Sequence, residues 1–451
     1  MSTLKFTIDG SQSGVPQDKI FIGFWGSQLN ARINGSAMES IQSSGKWYAL
    51  DSIKSFEIDS TTSGRLYVAY YETWTPDNGG MPSVVYSGSP AYFKRFDKFE
   101  LTFDGSPYGV ADLTAIDFWS IPMSLETYQG GSKVGELLGL KGVKNPGNAL
   151  YKGLKGLSDP IQSTGTGKEV EAAFKAAGHP LAQGILDWLL DPQSGTVIDH
   201  KGKFVRIIGP NTYPSFGEPS TGTPPGNPFT PYNTFEPYLN HLIAELGPGK
   251  TSDLLPKLGD GKIAFISGNY GGSGAGTGSA YEAQTYNLVA SISEDMELTI
   301  EGKCSVVGDT TITIDKWNLL NPAAVYGGNP SINLNNQGET NPKNNIYAWI
   351  LGDFFAGLNI GAIGSTVKVG GTAAGEMTSS EWFQKLPKAN MLFEKLWSRS
   401  VTNYWNQWAQ VLNPLSDAYN FAYAERFSAP QLSINPANVD ELKLILLDAN
   451  V

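Results

Sequence analysis

The chain has 451 residues, beyond the roughly 250 to 300 at which a single hydrophobic core stops growing, so two domains are expected. Its 52 glycines and 27 prolines, with 12% aromatic and only 17% charged residues, argue against a helical bundle and favour a mainly β or α+β protein rich in loops. A net charge of −11 with no long basic run argues against nucleic acid as a partner, and no stretch approaches the roughly 20 apolar residues of a membrane span.

The N-terminal MSTLKFTIDG begins a strand at once, without the apolar run of a leader peptide. Strands are then expected at LKFTID, KIFIGFWG, KWYAL, SFEID, GRLYVAYYETW, FKRFDKFELTFDG and LTAIDFWSIPMSLE. Turn residues separate them at intervals of about 8 to 15 residues, which suggests a sandwich or barrel over residues 1–130.

After Glu126 the pattern changes. GKEVEAAFKAAG and LAQGILDWLL have helical spacing, and TFEPYLNHLIAEL places Thr234 as a cap and Glu236 in the first turn of a helix. Between them, GPNTYPSFGEPSTGTPPGNPFTPYN reads equally well as a groove-lining loop and as a surface excursion. GGSGAGTGSA is expected to be a flexible loop, MELTIEG and TTITIDKW a strand pair, and IYAWILGDFFAGLNIG an apolar helix ending in Gly. SSEWFQKL and LFEKLWSRSVTNYWNQWAQVLN read as aromatic-rich helices, YNFAYAERF and ELKLILL as closing strands. Residues 131–414 thus form a mixed α/β domain, inserted within the β domain if the strands near 415–451 rejoin the first sheet.

Most chemical motifs fail on their residues. GPGKTS at 247–252 has Ala244 where a phosphate loop wants its first glycine, and GTGKE at 165–169 has Glu169 in place of the Ser or Thr that would hold magnesium. The single Cys304 permits no intrachain disulfide and reads as a small buried apolar group. His179, His200 and His241 have no metal-ligand spacing, and no Gly-x-Ser-x-Gly elbow is present. NGS at 34–36 fits a glycosylation acceptor, a pattern common by chance.

FDKFELTFDGSPYGVADLTAIDFWSIP, residues 96–122, is different. Phe99, Leu101 and Phe103 share one face of a strand, and Lys98, Glu100, Thr102 and Asp104 share the other. A symmetric hairpin about Tyr108 and Gly109 would set Glu100 opposite Asp117, Thr102 opposite Ala115 and Lys98 opposite Trp119. Two carboxyls on one face beside an indole fit the acid and base of glycoside hydrolysis, with Trp119 as a stacking surface for sugar. Such a pair is more often a solvated sheet face.

At these residues the sequence resembles the family-64 glycoside hydrolases, β-1,3-glucanases built on a thaumatin-like β domain. GRLYVAYYE, FDKFELTF, LTAIDFWSIPMSL, ILGDFFAGLNIG, YWNQWAQVLN and AYNFAYAERF resemble family segments in the same order over most of the chain. The resemblance implies a thaumatin-like β domain and a mixed domain flanking a wide groove. It places the general acid on Glu100 and the general base on Asp117. Thr102 and Thr114 fall on sugar-contacting threonines, Tyr108 lies near a subsite aromatic, and Asn359 and Glu425 lie in late motifs that contact glucan or support the cleft. It also implies inverting cleavage of linear β-1,3-glucan to short laminari-oligosaccharides by a monomer without metal or cofactor, found outside the cell as a mature form, with an intracellular location left open. The competing expectation is a thaumatin-like protein that binds β-glucan without cutting it. Inversion needs the carboxyls roughly 6.5 to 9.5 Å apart, farther than a directly opposed hairpin pair. Thr114 and Asp117 also have opposite parity, so a bulge or an end to the pairing is expected between them.

Overall fold

The computed structural model describes residues 3–26, 28–76, 84, 89–142, 145–158, 195–212, 232, 235–271, 283–320, 322–328, 330–335, 339–340, 345–386, 404–427, 431–449 and 451. The segments GKEVEAAFKAAG and LAQGILDWLL, His179, and nearly all of GGSGAGTGSA lie outside them.

The fold is mainly β. A 12-stranded sheet contains Leu4–Gln12, Ile20–Trp25, Leu29–Ile33, Phe56–Tyr70, Arg95–Phe103, Val110–Leu113 and Met123–Gln129, together with Glu441–Leu447 from the end of the chain. Glu441–Leu447 lies between Leu4–Gln12, to which it is parallel, and Met123–Gln129. Alternation drives this sheet: Leu4 and Phe6, Ile20 and Ile22, and Leu442, Leu444 and Leu446 bury together while Lys5 stays exposed.

SFEID and GRLYVAYYETW, expected as two strands, form the single strand Phe56–Tyr70. Its first half pairs with Leu29–Ile33 and Leu4–Gln12, its second with Ile20–Trp25 and Arg95–Phe103. The change of partners occurs at a bulge between Thr61 and Gly64, where Ser63 has φ 48°. Gly64 is needed there, since a Cβ would lie 2.2 Å from Thr61 Oγ1. The bulge replaces the expected turn because strands flank both of its sides.

A second sheet of six strands is an antiparallel meander that includes the expected pair Leu298–Cys304 and Gly308–Ile314. Cys304 is buried and free. Against this sheet packs helix Ile346–Asn359, started by Asn345, whose Oδ1 accepts from Tyr347 N and Ala348 N. Helix Ser379–Lys385 begins with a capping box between Thr378 and Glu381. Helix Glu236–Leu246 follows Phe235, with Pro237 in its first turn, and Thr234, expected as its cap, lies outside the described residues.

Two late expectations change. Of LFEKLWSRSVTNYWNQWAQVLN, the described part is helical only over Gln407–Leu412, capped by Asn406. YNFAYAERF is not a strand: Ala424–Arg426 is a 3-10 turn after Tyr423 at φ 65°. Its aromatics are drawn inward individually instead of alternating, with Phe421 and Phe427 buried and the Tyr423 ring seated where a Cβ on Gly352 would be. Among the described residues no helix is long and apolar enough to cross a membrane.

Candidate active site

The site lies where Phe56–Tyr70, Arg95–Phe103 and Val110–Leu113 run side by side. Arg65 pairs with Glu100 and Glu100 with Asp112, so three charged side chains form a row across one sheet face. Tyr67 and Lys98 form the next row on that face. Glu100 is therefore opposite Asp112, not Asp117, Thr102 is opposite Val110, not Ala115, and Lys98 does not face Trp119. The turn is centred nearer Ser106 than Tyr108, because Asp104 Oδ1 accepts from Ser106 N and tightens the loop early.

Pairing stops at Leu113, and a bend at Ile116–Asp117 carries Asp117 back toward the same face. Several contacts hold that bend. Tyr419 brackets Thr114 by a parallel bridge, accepting from Ala115 N and donating its own N–H to Leu113 O. Trp408 Nε1 donates to Ala115 O at 2.9 Å. Beyond the bend, Asp97 accepts from the backbone N–H groups of Ser120 and Ile121, both at 3.0 Å, and Phe118–Trp119 pairs with Ile207–Ile208.

Asp117 gathers three donors from two segments. Lys98 Nζ donates to Oδ2 at 2.5 Å, and Asn211 Nδ2 and Thr212 Oγ1 each donate to Oδ1 at 3.1 Å. Gly209 brings the last two close: its N–H donates to Asp117 O at 2.8 Å, and a Cβ there would meet Ile116 O at 2.5 Å. Burial disfavours the charge on Asp117, but the Lys98 ammonium and these hydrogen bonds outweigh it and hold the carboxyl below the usual aspartate range. Lys98 is itself buried, yet Asp117 keeps its ammonium charged and its pKa above the ordinary lysine value. Glu100 Oε1 accepts from Arg65 Nε at 2.8 Å, with about a third of each side chain exposed.

Thr102 and Thr114 are half-buried on this part of the sheet. Thr102 also serves the fold, because its Oγ1 accepts from Ser63 N at the bulge. Tyr108 stands at the hairpin tip, 44% exposed. Trp119 and Asn359 are corrected. Trp119 is 4% exposed and packs against Phe204, so it offers no face to a sugar. Asn359 is fully buried, donating to Val325 O and Phe355 O and accepting from Asn406 Nδ2, a brace between helices. The Glu425 side chain lies outside the described residues.

Four residues at the site were missed from sequence. Lys98 and Arg65 had a usable signal, a cation in register with the carboxylate face. Asn211 and Thr212 had only the loop in which they lie, and the described start of that loop does line the site. Among the described residues no group of three His, Cys, Asp or Glu is placed to hold a metal ion.

Neither a protein-family model nor a curated protein matches the sequence. Its fold is that of solved β-1,3-glucanases. A laminaripentaose-producing β-1,3-glucanase, solved with laminaritetraose, aligns over 99% of this chain and 99% of its own, with 12% identity and a TM-score of 0.51. A GH64 β-1,3-glucanase domain from Clostridium beijerinckii aligns over 99% of this chain and 97% of its own, with 10% identity and a TM-score of 0.52. At these identities the likeness is one of fold, and it extends over the mixed region as well as the β domain.

Proposed function

We propose that the protein is a glycoside hydrolase that cleaves β-1,3-glucan, with Glu100 as general acid and Asp117 as general base. The observation that carries this reading is the unequal environment of two carboxyls at one site. Asp117 is kept ionised by the buried Lys98 ammonium, as a base must be, while Glu100, on the strand Arg95–Phe103, is paired with the part-exposed Arg65 guanidinium. The fold shared with solved β-1,3-glucanases supplies the substrate class.

In the reaction, Asp117 takes a proton from water as the water oxygen bonds to the anomeric carbon. The bond from that carbon to the glycosidic oxygen breaks, and the oxygen leaves with the proton of Glu100. Arg65 must release Glu100 for this, because a carboxylate bonded to a guanidinium has no proton to give. Lys98, Asn211 and Thr212 hold Asp117 in one orientation and leave its remaining lone pairs for the water. Inversion, short products and an extracellular mature form belong to the same reading.

Incubation with laminarin, with product anomers followed by NMR, tests activity and stereochemistry together. New reducing ends that appear first as the α-anomer, and that fall by several orders of magnitude in Glu100→Gln with the fold retained, are expected. Retention of laminarin on the protein without any new reducing ends would replace the hydrolase by a glucan-binding protein.

A further inference from the structure

A second cavity, of about 640 Å³, opens at the other end of the Arg95–Phe103 strand. Arg95 precedes Glu100 by five residues and lies at the opposite end of the same strand. The cavity is walled by rings. Phe93 and His200 stand 4.2 Å apart between centroids, Phe204 and Tyr151 lie in T-shaped contact, and Tyr71 is 47% exposed at the rim.

Its floor is a guanidinium that has no carboxylate partner within ion-pair distance among the described residues. Arg95 lies between the rings of Tyr70 and Phe204, at 5.4 and 5.3 Å from their centroids. It makes one long hydrogen bond, Nη2 to Ser120 O at 3.4 Å, and its buried Nε has no partner among the described residues. Asp97 and Asp448 act on it only from longer range, and burial pulls its pKa below the usual arginine value. A buried cation left so poorly paired is costly, and an anionic ligand would relieve that cost.

The rim adds positive charge that the cavity's own acids do not cancel. The loop from Asp199 to Lys203 is pinned by Asp199 Oδ1, which accepts from Lys201 N and Lys203 N, both at 2.8 Å. Lys201 and Lys203 form no ion pair among the described residues, and Lys203 lies over the Tyr71 ring instead. Lys94 is paired with Glu72. In a protein of net charge −11, this is a locally cationic hollow.

We propose that this cavity is a second binding site, separate from Glu100 and Asp117, for a saccharide ring that carries a carboxylate, such as a uronic acid. The planar guanidinium matches a carboxylate through paired N–H donors. The aromatic walls match a ring, and the volume suits a sugar unit or two rather than a bare ion.

Calorimetric titration of the full chain with glucuronate, glucose and sodium sulfate tests this. Glucuronate should bind saturably, about tenfold or more tighter than glucose, and weaken as salt is raised. Arg95→Met should abolish the binding. Because that variant alters a buried residue, the surface variants Tyr71→Ala and Lys203→Gln are measured beside it, each expected to weaken glucuronate by about threefold or more, while laminarin hydrolysis is unchanged. Glu100→Gln should bind glucuronate as the parent does. Equal binding of glucose and glucuronate, sulfate binding as tightly as glucuronate, or parent-like binding by both surface variants would overturn the proposal.

Discussion

Lys98 and Asp117 are 19 residues apart in the chain, and their side chains meet at 2.5 Å. One is on a strand, the other in a bend after the next strand has ended, so no pairing register brings them together. Their contact is made by the fold around the bend.

Removing Lys98 should move the acid side of the activity profile. Asp117 works only when ionised, so the rate falls as pH drops through its pKa, which Lys98 holds low. In Lys98→Met burial is unopposed by that charge, and the acid limb of kcat/KM against pH should shift to higher pH. The pair also links stability to pH. A depressed carboxyl pKa stabilises the fold above the unfolded aspartate value, and the contribution is lost as pH falls through the lower folded value. Urea unfolding at neutral pH should show the variant weaker by about 1 to 3 kcal/mol, less than for a fully buried pair because Asp117 keeps about a third of its side chain exposed. The gap should narrow in acid.

Asp97 gives the opposite slope. Burial pushes its carboxyl up to about 7, against the backbone donors of Lys98, Ile121 and Ser120. Between the ordinary aspartate value, near 4, and that folded value the native state binds more protons than the unfolded chain, so this group makes stability fall as pH rises. Asp97→Asn should remove that slope in unfolding curves across the window, and cost about 1 to 3 kcal/mol because one amide oxygen cannot replace two carboxylate oxygens.

Gly209→Ala tests the loop that carries Asn211 and Thr212. The added methyl would press on Ile116 O and push the loop off Asp117. Stability should drop by about 1 to 3 kcal/mol, and turnover by roughly 10- to 100-fold, with the larger effect in kcat than in KM.

Asp353→Ala should damage the fold without touching the chemistry. Asp353 is fully buried and accepts from Tyr286, Ser379 and Arg426. Its loss leaves Arg426 charged and mostly buried, at a cost of about 3 to 5 kcal/mol. A thermal melt should register this, while the folded fraction retains the parent's kcat on laminarin.

Much of the first sheet was legible because the apolar, β-rich runs at Leu4–Gln12, Ile20–Trp25 and Arg95–Phe103 mark strands directly, although Ile22–Trp25 and Phe96–Phe99 are buried on both faces. Leu29–Ile33 was passed over, since LNARI is short and weakly apolar. YNFAYAERF misled for the reverse reason: its apolar residues are plentiful, but their burial follows separate partners rather than a strand period. At the site, the face shared by Glu100, Lys98 and Thr102 could be read from parity. Trp119 and Asn359 could not be placed, because an aromatic or an amide looks the same in sequence whether it lines a cleft or fills a core.

Local periodicity therefore determined which residues of the Arg95–Phe103 strand share a face, and a tight Gly- and Pro-containing turn determined that a second strand returns beside it. Those are properties of neighbours in the chain. Tertiary structure alone decided that Glu100 faces Asp112 and that pairing ends at Leu113. It also decided that Tyr419, Trp408 and Gly209, from distant segments, bend the chain until Asp117 meets Lys98. A register depends on where a turn tightens, and a bend on what packs against it. Both are energies of contact between remote residues, which no local pattern records.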